Sequence, residues 1–272
     1  MMVSAPEVGT EFPPFSHRVD PVKATEFATA IDDSLRRLPS GAWEVPIGML
    51  FFVPIQDSGL IFRSFGADWT DVLFGGIALT FDRPVETGEE LHGRTVVTSS
   101  RERGEGSARS LLVDLTTSYK GAEGGCVMTE VSTIVIRRPP RDRPGELPPA
   151  PLNPEPAAGA WVHRVEVSRL KIAYMAISIE DPNPIHVEDE IALRAGFPGA
   201  IAHGTFPIGA LGAAVAASCG PGRLRRLEVR LIAPVYPGSE VVAQVRLDGE
   251  SYLLEAHAGG RLVAKGSAQI AQ

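Results

Sequence analysis

Residues 161–181 read WVHRVEVSRLKIAYMAISIED, and residues 17–33 read HRVDPVKATEFATAIDD. Each stretch sets His-Arg-Val and an acid before a run with apolar residues at helical spacing, and each run ends in an acidic pair. In the earlier copy Phe27, Ala28 and Ile31 form the apolar face, and Asp20 followed by Pro21 is a good helix start. A second echo lies further on: LIAPVYPGSEV at 231–241 repeats FDRPVETGEEL at 81–91, with Pro and Gly at the same separation. Strand-like text closes both halves. In the first half residues 78–100, 107–120 and 126–138 read as three alternating, β-branched strands separated by Gly-bearing turns. In the second, LEVRLIAPVY, SEVVAQVRLD with SYLLEAHA, and RLVAKGSAQI play the same part. The chain is therefore an internal duplication of a unit of about 110 to 140 residues, an ordinary domain size.

Residues 139–159, PPRDRPGELPPAPLNPEPAAG, are dominated by proline and predict an extended, semi-rigid linker. The expected organisation is a degenerate first repeat over 1–138, the linker over 139–159, and a catalytic second repeat over 160–272. In the second repeat TFPIGALGAAVAAS predicts a helix from about Thr205 to Ser218, apolar on nearly every side, as expected for a helix wrapped by a sheet. Gly209 and Gly212 would let strands come close to it at some cost in helix propensity. The first repeat has short apolar text at 48–55 and a Gly-punctuated passage over 56–76, where no long helix is expected.

The chemistry concentrates in ISIEDPNPIHVEDEIALRAGFPGAIAHG, residues 177–204. Pro182 and Pro184 stop the preceding helix, so Asp181, Asn183 and His186 are presented by a stiffened loop. A carboxylate and an imidazole side by side can hold one water, the imidazole taking and returning a proton near neutral pH. Asn183 offers a donor and an acceptor and is read as a loop brace. A short helix, EDEIALRAG, should end at Gly196. Beyond it Gly204 stands where the apolar helix begins, so free N–H groups and the positive helix end would face the loop, a seat for an oxygen gaining negative charge. His203 could be a second acid or base, but it abuts the helix start and is read as packing or capping that helix, and Tyr174 as core.

The D-x-N-P-x-H loop, Gly196-Phe197, Ala202-His203-Gly204 and Pro234-Val-Tyr-Pro-Gly238, in this order and spacing, resemble the MaoC-like, (R)-specific enoyl-CoA hydratases. The resemblance implies an α+β double hot dog fold, two antiparallel sheets joined edge to edge and each associated with a helix. It also implies one site per chain, with Asp181 and His186 as acid–base groups and the Gly204 N–H holding the enolate oxygen. The first repeat has Asp33-Ser34-Leu35-Arg36-Arg37-Leu38-Pro39 with no histidine at this place, and the resemblance implies a two-domain member whose first repeat has lost these groups. It also has Leu73-Phe74-Gly75 where many such proteins have Leu-His-Gly. Thioester hydrolysis on the same fold, and a non-catalytic acyl- or polyketide-binding subunit, are the alternatives.

Composition narrows the partners. A formal net charge of -7 and the absence of a basic stripe with interleaved aromatics exclude nonspecific nucleic-acid binding. Arg223, Arg225 and Arg226 read as a solvated strand end, with coenzyme A phosphates the alternative contact. No apolar run reaches the length of a membrane span and residues 1–30 lack signal-peptide features, so a cytoplasmic, non-membrane protein is expected. The two cysteines, Cys126 and Cys219, read as small buried thiols without disulfide or metal-ligand spacing. No cofactor is expected beyond the coenzyme A or carrier protein that is part of the acyl thioester. Metal is not expected either, because the loop's single Asp and single His do not complete a three-ligand site. Fold analogy predicts a homodimer.

Overall fold

The computed structural model describes residues 5–49, 66–104, 110–137 and 152–271. Among the described residues ten strands form one antiparallel sheet: β1 Phe15–Arg18, β2 Val72–Phe81, β3 Glu90–Arg103, β4 Ser110–Gly121, β5 Cys126–Arg137, β6 Trp161–Glu166, β7 Leu224–Leu231, β8 Glu240–Asp248, β9 Ser251–Ala258 and β10 Arg261–Ile270. Their order across the sheet is β1-β3-β4-β5-β2-β7-β10-β9-β8-β6. From either edge inward the two halves follow the same plan, β6 standing for β1, β8 for β3 and β7 for β2. The halves meet where β2 pairs with β7, from Gly76 opposite Arg230 to Thr80 opposite Arg226.

The strand text of residues 78–100 divides differently from the reading above. Its first residues complete β2, Asp82 to Glu89 make a turn, and β3 follows, giving four long strands where three were expected. Alternation on both sides of the turn concealed the break.

Helix α1, Pro21–Ala30, starts as its sequence demands: the Asp20 carboxylate accepts a hydrogen bond from the Val22 N–H at 2.7 Å, and proline occupies the first turn. Ala24, Phe27, Ala28 and Ala30 are its buried residues. Helix α2, Arg169–Ser178, begins at Ser168, whose hydroxyl accepts from the Lys171 N–H. The two helices pack together and exchange ion pairs, Lys23 with Glu180 and Lys171 with Asp32. Tyr174 on α2 is 37% exposed and belongs to the surface, not the core.

Helix α3, Asp189–Arg194, is followed by Gly196 in the left-handed region at φ 82°, the conformation a helix stop of this kind requires. Helix α4, Thr205–Cys219, is buried from Thr205 through Val215. Burying a side chain such as Phe206 or Leu211 contributes roughly 1.5–3 kcal/mol, so this helix anchors the molecule. The close approach at its glycines is made by the first half rather than by strands. A Cβ on Gly209 would lie 2.9 Å from the Phe27 ring of α1, and one on Gly212 2.8 Å from Ile47 Cβ. Ile47 belongs to a short 3-10 turn, Ile47–Met49. The first half's counterpart passage, residues 50–65, and most of the expected linker lie outside the described residues.

The final part of that linker is stitched down. Leu152 is 94% exposed, but Asn153 donates to the Glu240 carbonyl and accepts from the Gly260 N–H, and the Ala157 N–H donates to Gln244. The thiols also differ from expectation: Cys126, at the start of β5 beside a glycine turn, is exposed, and Cys219 is half-buried at the end of α4. Among the described residues no helix is long and apolar enough to cross a membrane.

Candidate active site

The turn after α2 builds the site. Glu180 takes a left-handed conformation at φ 55°, and the Asp181 N–H returns to the Ala176 carbonyl at 3.0 Å, which turns the Asp181 side chain off the helix axis. Asn183 then fixes the loop from three directions. Its N–H donates to Asp181 Oδ1 at 3.0 Å, its Oδ1 accepts from the Ile185 N–H at 3.3 Å, and its Nδ2 donates to the Trp69 carbonyl at 3.2 Å. Pro184–His186 forms a single 3-10 turn that aims the buried His186 back at the acid.

Asp181 Oδ2 lies 3.6 Å from His186 Nε2. That separation is beyond direct hydrogen-bond length and close enough for one water to touch both groups. His186 Nδ1 is 2.9 Å from the Ile201 carbonyl oxygen, which can only accept, so Nδ1 carries a hydrogen and Nε2 is the nitrogen that faces Asp181.

His203 completes a trio that its neighbours in sequence do not announce. It is 1% exposed, its ring lies on that of His186 with centroids 3.7 Å apart, and its Nε2 is 3.9 Å from Asp181 Oδ2. Neither of its ring nitrogens makes a hydrogen bond of ordinary geometry among the described residues, although the Asp181 backbone is close enough to favour its protonated form. The expectation that it merely packs or caps the helix start is corrected: Gly204 is the cap, and His203 faces the acid. The premise that nothing supplies a third donor beside Asp181 and His186 falls with it.

Burial and the adjacent His186 push His203 down to about 3 against the pull of Asp181, so it is a neutral imidazole at physiological pH. Burial alone would raise the Asp181 carboxyl. The His186 contact, the field of both imidazoles and the Asn183 N–H outweigh it and bring Asp181 down to about 2. The site thus carries a fixed carboxylate beside two imidazoles.

These groups line a cavity of about 260 Å³, otherwise walled chiefly by apolar side chains. Leu73 and Phe74 of β2 and Ile134 of β5 come from the first half, Ile201 and Leu231 from the second. The volume equals roughly eight or nine waters at about 30 Å³ each, room for an apolar group as well as the reacting water. Gly204 lies in the wall at the start of α4, and neither its N–H nor that of Thr205 has an acceptor among the described residues. A Cβ at Gly204 would lie 2.5 Å from Leu231 Cδ1 and 3.1 Å from Phe74 Cδ1, so only glycine brings the backbone this close to the cavity.

Arg137 of β5, unremarked in the sequence, ties the first half to the site loops. Its guanidinium donates to the Ala195 carbonyl at 2.5 Å and the Thr70 carbonyl at 2.6 Å, and lies 4.8 Å from the Phe197 ring centre. The P-V-Y-P-G block acts similarly on the other side, where the Val235 carbonyl accepts the Ala202 N–H at 2.8 Å. Arg223, Arg225 and Arg226 sit at the far end of β7, donating to nearby carbonyls and to Glu228. Seven residues of strand, roughly 23 Å, separate Leu224 from the cavity residue Leu231, in keeping with a solvated strand end.

A long helix held by a sheet that repeats its strand order, with an acid–imidazole constellation in a cavity across the junction, defines a double hot dog protein. Residues 160–259 match the MaoC like domain. The whole chain superposes on a protein described as a MaoC-like dehydratase at TM-score 0.77, with 23% identity over 97% of this chain and 98% of that one. For HtdX of Mycobacterium tuberculosis the values are 0.73 and 21%, over 95% and 100%. A further Mycobacterium tuberculosis protein, described as having a double hotdog fold, gives 0.63 and 16%, with each chain covered over 100% of its length. At these identities the structural likeness is one of fold. Comparison with curated proteins gave no match.

Proposed function

We propose that the chain is a hydratase or dehydratase of 2-enoyl thioesters, interconverting the enoyl and (R)-3-hydroxyacyl forms. The observation that carries this reading is the 3.6 Å approach of Asp181 and His186 in the lining of a chiefly apolar cavity, with the Gly204 N–H in its wall. Asp181 and His186 hold one water above the double bond. His186 Nε2 takes a proton as the water oxygen bonds to C3, the π electrons move onto the thioester oxygen, and the Gly204 N–H steadies the enolate. The proton then passes to C2 on the same face, so one water is added and nothing is left over. Dehydration runs the same steps backwards. The thioester itself acidifies C2, so this route calls on no redox cofactor. Coenzyme A or a carrier protein enters only as part of the substrate, and a homodimer is the proposed assembly on fold analogy.

Crotonyl-CoA tests the reading. The expected result is loss of the enoyl absorbance without release of free thiol, with turnover lowered roughly a hundredfold or more by either Asp181→Asn or His186→Ala. Thiol release would favour a thioesterase. Saturable acyl binding without turnover over a panel of enoyl thioesters would favour a binding subunit. Full activity in both variants would remove the mechanism.

A further inference from the structure

We propose that Asp181, His186 and His203 also form a binding site for a divalent ion of the zinc class, and that the ion, once bound, shuts the site. The three candidate ligand atoms lie within 4.8 Å of one another, with Asp181 Oδ2 3.6 Å from His186 Nε2 and 3.9 Å from His203 Nε2. Zinc at roughly 2.0–2.2 Å from nitrogen and oxygen holds neighbouring tetrahedral ligands about 3.3–3.5 Å apart, so the trio needs only a modest contraction to close on an ion.

Two further features point to a ligand. Neither ring nitrogen of His203 makes a hydrogen bond of ordinary geometry although the residue is 1% exposed, and its nearest backbone acceptor is Asp181, itself a member of the trio. His186, for its part, has its Nδ1–H against the Ile201 carbonyl, the outer contact that commonly orients a metal-bound imidazole. Thr205 Oγ1, also buried without a partner, lines the same cavity and is available to a water on the ion's fourth position.

Two imidazoles and one carboxylate suit zinc, cobalt, nickel or copper better than magnesium or calcium, which prefer all-oxygen shells. Coordination would occupy the His186 lone pair that water activation requires, so metal binding and acid–base work exclude each other. Closure rests on the proposed function, whereas binding of the ion does not.

The test uses tag-free, chelator-treated protein and zinc chloride in a non-coordinating buffer, followed by calorimetry, with visible absorption of the cobalt-substituted protein as a second readout. One ion per chain is expected, with affinity lowered at least roughly a hundredfold by Asp181→Asn or His203→Phe, more than the ~10–100-fold that losing an outer partner of a ligand costs. Asp181 is a loop residue, so Asp181→Asn keeps the test decisive if His203→Phe does not fold. Absence of saturable binding, or unchanged affinity in Asp181→Asn, overturns the site and assigns any bound ion to other histidines. In the activity arm, one equivalent of zinc should abolish crotonyl-CoA hydration and a chelator should restore it. Hydration that persists with the site loaded overturns closure. If the zinc-free protein itself fails to hydrate, the function is at fault while the calorimetry still judges the ion site.

Discussion

The turn that follows α1 and the turn that follows α2 are the same piece of backbone put to different ends. Asp32 and Glu180 both adopt the left-handed region, at φ 53° and 55°. The Asp33 N–H reaches the Ala28 carbonyl at 2.9 Å just as the Asp181 N–H reaches that of Ala176 at 3.0 Å. From there the residues diverge. Asp33 is clamped by Arg36 through two hydrogen bonds of 2.8 Å, so its charge is spent within its own loop. Asp181 has no arginine partner among the described residues, and the prolines around Asn183 swing His186 into its reach instead. The space beside each acid differs accordingly, about 20 Å³ next to Asp33 and about 260 Å³ next to Asp181. A fold can therefore duplicate the geometry that presents an acid without duplicating a site. What makes the second turn a candidate for catalysis is a carboxylate that faces imidazoles instead of a guanidinium, together with the open cavity.

The sharpest way to break this comparison is to remove the acid from each turn. Asp181→Asn should lower crotonyl-CoA turnover by about a hundredfold, equivalent to about 2.7 kcal/mol in the barrier, while Asp33→Asn should leave it within about twofold. Equal losses in the two variants would mean that the first turn takes part in the chemistry. Next in size is the brace between halves. Arg137→Met leaves two carbonyls without their charged donor and should cost about 1.5–3 kcal/mol in urea denaturation, with kcat falling as the loop loosens. A similar loss, about 1–3 kcal/mol, is expected for Gly212→Ala, whose new methyl would press on Ile47, with little change in activity.

Acid should strain the second half first. Because burial holds His203 near 3 rather than 6.5, the unfolded chain takes up a proton that the folded chain refuses. Stability should therefore decline as pH falls below about 6.5. Below about 4 the lowered Asp181 carboxyl adds a loss of the same sign. His203→Phe should flatten the upper part of that decline in denaturation midpoints across pH, and an unchanged profile would show that the ring is not a buried neutral imidazole. The smallest effect belongs to the first turn, where Arg36→Gln should cost under about 1 kcal/mol, since one partner of the pair is part-exposed.

Much of this was legible in the residues. Asp20-Pro21, the D-P-N-P loop and Gly196 act within a few positions of themselves, and their local rules decide the outcome whatever the rest of the chain does. His203 was not legible in the same way, because its partners lie about twenty residues upstream and only the folded cavity brings the three together. Gly209 and Gly212 were recognised as points of close approach, but the approaching groups, Phe27 and Ile47, belong to the other half and leave no local trace. Tyr174 shows the limit of apolar spacing. Leu170, Tyr174 and Ile177 of α2 are exposed while Ile172 and Met175 are buried, so hydrophobicity alone could not choose the inward face.

The seam between β2 and β7 carries a last implication. Two identical subunits meeting at such an edge would be encoded once, and any change in one would appear in the other. Because both edges here come from a single polypeptide, each can vary alone. One side is then free to give up its own cavity and supply wall to the other's, as Leu73, Phe74 and Ile134 do here, a division of labour closed to a pair built from identical chains.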